Sequence, residues 1–367
     1  MRFTLLTVGA AAVPRGFTEV DTPLGRVRGT VNARSGVYEF KGLRYAASTA
    51  GKARYSPSTL STSGAEWRST MPHVVRSSAV ADATSFAAPC IQSPAGSVPG
   101  APTPAEDCLF LNVYAPPDAK RLPVLFWVHG GGFCSGWSGS SWFDGSQLAA
   151  SGEVVVVTIG YRLGGLGFMV VPGVSNVTRK SGGNGGANGI GDMRTALQWV
   201  KANVASYGGD AARVTVFGES SGGLAACTMI VSPQFANLGL QRVIVQSGPC
   251  AGHNDSTWAG GSGWAPNDGA IATTATQSVL RANGVSTLAG LRLVPDARKV
   301  RDPSARRRVG DGSALFARAI VNSTERGFSR PTARPVVAVL TPPTSPPLRA
   351  LRSPRRGHGD SSRGPTR

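Results

Sequence analysis

Three apolar runs constrain this chain most. Val124 to Val128, Val154 to Ile159 and Val214 to Phe217 show little polar alternation, and each ends at glycine: Gly130-Gly131-Gly132 after His129, Gly160, and Gly218. Runs of this kind are buried on both faces, as in a parallel sheet covered by helices. Between the second and third lies a helical segment, Ile190 to Ala205, with Met193, Ala196, Leu197 and Val200 on one stripe. A shorter run, Val243 to Val245, follows the helix expected after Ser220. Strands alternating with helices predict an α/β fold with a mostly parallel central sheet flanked by helices. Upstream, Val27, Val31 and Val37-Tyr38 lie near Gly25, Gly29 and Gly36. That spacing predicts a small antiparallel entry sheet within residues 20–60. Residues 91–105 read as a Pro/Gly/Ser loop.

The formal charge of +18 invites a nucleic-acid reading. Its distribution argues against one. Residues 296–367 carry 16 Lys/Arg and 5 Asp/Glu, so +11 of the excess sits in the last fifth of the chain. The body has no arginine-rich helix and no basic-aromatic stripe, and no nucleic-acid partner is expected. The last segment also loses apolar periodicity and fills with Arg306-Arg307-Arg308, Pro342-Pro343, Pro346-Pro347 and Arg355-Arg356. It is expected to be a disordered basic tail, either genuine or the out-of-frame reading of GC-rich coding sequence. The second origin is the one favoured.

No apolar run is long enough to span a bilayer. Met1-Arg2 followed by the mostly apolar Phe3 to Val13 reads either as a short signal peptide or as a frayed terminus. The expected domains are therefore an N-terminal extension over 1–19, an α/β domain over 20–295 and the tail over 296–367. The five cysteines are Cys90, Cys108, Cys134, Cys227 and Cys250, with no CxxC pair and hence no zinc site expected. Cys90 and Cys108 lie 18 apart across the Pro/Gly/Ser loop, which suits a disulfide. Such a bridge stabilises by about 3 kcal/mol through loop entropy and points to an oxidising compartment. Secretion is the favoured location and the cytoplasm the alternative.

Two short motifs carry chemistry. Gly218-Glu219-Ser220-Ser221-Gly222 fits the GxSxG nucleophile elbow, with an apolar strand before it and a small-residue helix start after it. His129-Gly130-Gly131-Gly132-Phe133 follows a buried strand, where backbone N–H groups can approach a developing oxyanion. Each such donor is worth about 3–4 kcal/mol of barrier.

Several further stretches resemble the carboxylesterase type B (cholinesterase-like) family of α/β-hydrolases. Glu106-Asp107-Cys108-Leu109-Phe110-Leu111-Asn112-Val113-Tyr114 looks like one family signature. Tyr207-Gly208-Gly209-Asp210, running through Val214 to Gly222, looks like the serine signature. Tyr161-Arg162-Leu163-Gly164, Leu166-Gly167-Phe168, Asn188-Gly189-Ile190-Gly191-Asp192 and Gln246-Ser247-Gly248 also fit. The resemblance spans about residues 20–295. It implies Ser220 as nucleophile, Gly131, Gly132 and the Ser221 N–H as oxyanion hole, and a Cys90–Cys108 disulfide. It further implies structural ion pairs Arg54–Glu106 and Arg162–Asp192, and a structural His129. The reaction implied is hydrolysis of a small carboxylic ester, with no metal or cofactor.

Departures from the family pattern are also visible. Prolines are absent from Arg44 to Gly51, Gly160 replaces the usual Asn, and Cys250 has no obvious downstream partner. Only 147 residues follow Ser220, so the last strands of the sheet are expected to be missing. The triad order is Ser, acid, His. Glu325 in Asn322 to Phe328 is the candidate acid and His358 the candidate base, because His253 comes too early. Their separation of 33 residues is short for the family. The alternative reading is a non-catalytic cholinesterase-like binding domain.

Overall fold

The computed structural model describes residues 16–62, 80–92, 98–169, 188–248, 250, 277, 279–295 and 336–340. Its strands are β1 (Phe17–Thr22), β2 (Gly25–Val31), β3 (Tyr38–Arg44), β4 (Val80–Asp82) and β5 (Phe110–Ala115). They continue with β6 (Leu122–Val128), β7 (Val155–Ile159), β8 (Gly209–Glu219), β9 (Arg242–Gln246) and β10 (Val336–Leu340). All ten join one sheet in the order β1-β2-β3-β5-β7-β6-β8-β9-β10, with β4 beside β2. From β1 through β3 and β5 to β7 each pairing along that path is antiparallel, whereas β7, β6, β8, β9 and β10 run parallel.

The apolar runs become the centre because they bury both faces. Along β7, Val155, Val157 and Ile159 enter the main core while Val156 packs on the opposite face with Val37, Tyr114 and Ala149. This is the period-two alternation of a strand. On the main face the core meets α2 (Asn188–Asn203), which follows α1 (Gly164–Phe168) and contributes the fully buried Met193, Leu197, Trp199 and Val200. A third helix, α3 (Ser221–Val231), is buried from Ser221 to Ile230. A fourth, α4 (Leu288–Leu293), closes the domain on its Arg54 side.

β6 lies between β7 and β8, so the chain leaves it to one side and returns on the other. Such a switch point opens a crevice beyond the strands' carboxyl ends, where α/β proteins place their ligands. The glycine triplet and Ser220 both follow strands that end there.

β1 begins within the stretch 1–19 read as an N-terminal extension, with Phe17 paired to Thr30. Within the region 296–367, read as a basic tail, Val336–Leu340 forms β10 against β9, with Val337 opposite Val243. A short β-branched run has strong strand propensity, and the edge of β9 offers unpaired backbone groups to satisfy. The rest of that region, 296–335 and 341–367, lies outside the described residues, as do residues 1–15.

Candidate active site

Ser220 sits where β8 turns into α3. Its φ of 54° and ψ of −122° are strained for a residue with a side chain, at a cost of about 1–3 kcal/mol. The surroundings hold it there. Ser220 N–H donates to Gln246 O at 2.8 Å, and Ser220 O accepts from Leu224 N–H at 3.1 Å. The flanking glycines permit the corner by close approach. A Cβ on Gly222 would collide with the Val128 carbonyl, and one on Gly218 would meet the Gly222 backbone. Among the described residues the Ser220 hydroxyl has no hydrogen-bond partner.

The glycine triplet after β6 packs directly on this corner. A Cβ on Gly130 would lie 3.2 Å from the Ser220 Cβ. Gly131 has a φ of 107°, Gly132 of 62° and Phe133 of 58°. Gly131 O accepts from Cys134 N–H (3.0 Å) and Ser135 N–H (3.1 Å), which turns the loop back on itself. The N–H groups of Gly131, Gly132 and Ser221 have no acceptor among the described residues. Three unengaged donors therefore stand beside an unengaged serine hydroxyl.

His129 is the one histidine among the described residues. It is buried, stacks on Tyr161 with ring centroids 4.4 Å apart, and its Nδ1 lies 2.9 Å from Gly130 O. A carbonyl only accepts, so Nδ1 carries the proton. Burial pulls the imidazole down to about 4, against the weaker opposing effect of the Gly130 bond. The unfolded ring takes up a proton below about pH 6.5, while the folded ring stays neutral until about 4. Stability from this group is thus complete above the unfolded value and is lost as pH falls toward the folded one. The loss reaches about 3 kcal/mol. Urea midpoints measured between about pH 7.5 and 4 should fall more steeply for the wild type than for His129→Gln. Equal slopes would show that His129 is not the group responsible.

The scaffold around the site contains two disulfides. Cys90 is joined to Cys108 and Cys227 to Cys250. Cys250 thus pairs upstream, onto α3, rather than downstream. Arg54 makes a two-point contact with Glu106 and also donates to Leu291 O (2.7 Å) and Val294 O (3.0 Å), which ties α4 to the domain. Arg162 binds both oxygens of Asp192 at 2.8 and 2.7 Å, with side chains 3% and 0% exposed. A third pair, Arg44 with Asp107 at 2.8 and 2.7 Å, was not anticipated, although Asp107 lies inside a recognised motif. The candidate acid Glu325 and base His358 lie outside the described residues, as does His253.

A strand-to-helix serine corner beside a glycine loop, at the switch point of this mixed sheet, defines an α/β-hydrolase fold. The chain belongs to the carboxylesterase family, whose model matches residues 17–259. It is 37% identical over 233 residues to the para-nitrobenzyl esterase of Bacillus subtilis, covering 62% of this chain and 43% of that protein. It is also 37% identical over 243 residues to the acetylcholinesterase of Danio rerio, covering 62% and 35%. A solved carboxylesterase of Geobacillus stearothermophilus superposes with a TM-score of 0.59 at 31% identity, over 81% of this chain and 54% of that one. The chain thus spans about half or less of the length of the relatives it matches.

Proposed function

We propose that this chain carries the nucleophile half of a carboxylic ester hydrolase working through an acyl-enzyme on Ser220. The observation that supports this most is the strained Ser220, its hydroxyl unengaged, packed against a glycine loop with free N–H donors. Ser220 Oγ attacks the ester carbonyl. The N–H groups of Gly131, Gly132 and Ser221 receive the negative charge that develops on the carbonyl oxygen. His358, oriented by Glu325, is proposed to take the serine proton and return it to the leaving alcohol, and water then releases the acid. His129 is unsuited to that role, because its Nδ1–H is committed to Gly130 O and the ring is buried.

The substrate class is a small carboxylic ester, in keeping with the esterase names of the relatives. No helix among the described residues is long and apolar enough to cross a membrane. Two disulfides favour an oxidising compartment and hence secretion. Residues 20–295 are proposed as the hydrolase domain, to whose sheet β10 adds one strand from the basic segment 296–367.

A fluorophosphonate probe tests the reading. It should label the wild type once, at Ser220, and leave Ser220→Ala unlabelled. Absence of label on folded wild type would instead favour a binding domain. Gly131→Ala supplies a graded check. Its φ of 107° suits glycine alone, and a Cβ there would collide with the Ser135 carbonyl. Displacing an oxyanion donor should lower the labelling rate by about 10²–10³-fold, whereas an unchanged rate would remove Gly131 from the hole.

A further inference from the structure

We propose that the side chains of Ser221 and Tyr161 form a clamp that holds the glycine triplet in the geometry an oxyanion requires, which makes both of them positioning residues for chemistry at Ser220. The proposal rests on the reading of Ser220 as nucleophile. It concerns groups that this reading does not use, since only the backbone N–H of Ser221 was assigned there.

The triplet is secured at both ends. At its start, Tyr161 O–H donates to His129 O at 2.7 Å, while the Tyr161 ring stacks on the His129 imidazole. At its end, Phe133 N–H donates to Ser221 Oγ at 3.2 Å. Burial first, and then Cys134, push the Tyr161 phenol well above its ordinary value, with Ser221 acting in the opposite direction, so the phenol keeps its proton as the donor to His129 O. The two bonds, Tyr161 O–H to His129 O and Phe133 N–H to Ser221 Oγ, flank the triplet on either side.

Such a device is needed for an entropic reason. Glycine loses more backbone freedom than any other residue when it is fixed, and here three stand in succession. Oxyanion donors work only when they are oriented before the charge appears. Both clamp residues are at most 1% exposed, so water does not compete for their bonds. The geometry is also direct. Ser221 carries one proposed donor on its own backbone, and its hydroxyl grips the residue immediately after Gly132, which carries another. One side chain thereby sets the spacing across the hole. With Ala at 221, the Phe133 N–H would lose its acceptor.

Amide hydrogen exchange and fluorophosphonate kinetics on the wild type, Ser221→Ala and Tyr161→Phe test the clamp. In Ser221→Ala the Phe133 amide should exchange at least about tenfold faster, with the amides of β6 unchanged. The second-order labelling rate should fall by about 10–100-fold. Tyr161→Phe should loosen the His129 end and slow labelling in the same direction. Labelling as fast as wild type in both variants would overturn the clamp while leaving Ser220 as nucleophile. Slower labelling with no change in exchange at Phe133 would also overturn it, since the loss would then have another cause. An unlabelled wild type that still shows the exchange difference would sink the esterase reading and leave the clamp standing as a loop-ordering device.

Discussion

Ser220→Ala should lower turnover of p-nitrophenyl butyrate by on the order of 10⁶-fold, with the folded structure retained. The size of the effect follows from the chemistry. Alanine offers no nucleophile, and the residual rate would come only from binding and the proposed oxyanion donors. Retention of the fold follows from the geometry. Ser220 already carries a Cβ at a φ of 54°, so alanine adds no strain. Its stabilising contacts with Gln246 O and Leu224 N–H are made by the backbone. The measurement is kcat for purified wild type beside the variant, with circular dichroism as the control for folding. Equal rates in the two proteins would place the nucleophile elsewhere.

Asp192→Ala should cost about 3–5 kcal/mol of stability. Asp192 is fully buried and accepts from Arg162 N–H, Nε and Nη2 at 3.1, 2.8 and 2.7 Å. Removing it leaves a guanidinium in the core, 3% exposed, with Ser56 O as its remaining acceptor. Such a charge cannot relax into water. Replacing both partners by apolar residues of similar volume should cost much less, because the orphaned charge is removed as well. Chemical denaturation of the single and double variants decides between these outcomes. A single-variant loss below about 1 kcal/mol would mean that the pair behaves like a surface salt bridge.

What the sequence alone determined is local. The runs at Val124, Val154, Val214 and Val243 become β6 to β9 because hydrophobic patterning is read from contiguous residues. The two glycine motifs are legible for the same reason, since a sharp corner and a close backbone approach each need glycine at a set offset from one residue. The strand β5 was contained in a recognised motif but not read as a strand. The polar Asn112 interrupts its apolar run, and its amide is satisfied only through Gly42, Ser138 and Thr158.

Tertiary structure alone decided the pairings that join distant residues. The Cys227–Cys250 bridge, the Arg44–Asp107 pair 63 residues apart and the Phe133–Ser221 bond 88 residues apart leave no local periodicity to read. β10 belongs with them. Five apolar residues in an arginine-rich segment become a strand only because β9 presents an edge to which they can bond. The glycine-flanked corner at Ser220 was therefore visible in the sequence, whereas the contacts that hold the neighbouring glycine loop exist only once β6, β7 and β8 lie side by side and bring His129, Tyr161 and Ser221 together.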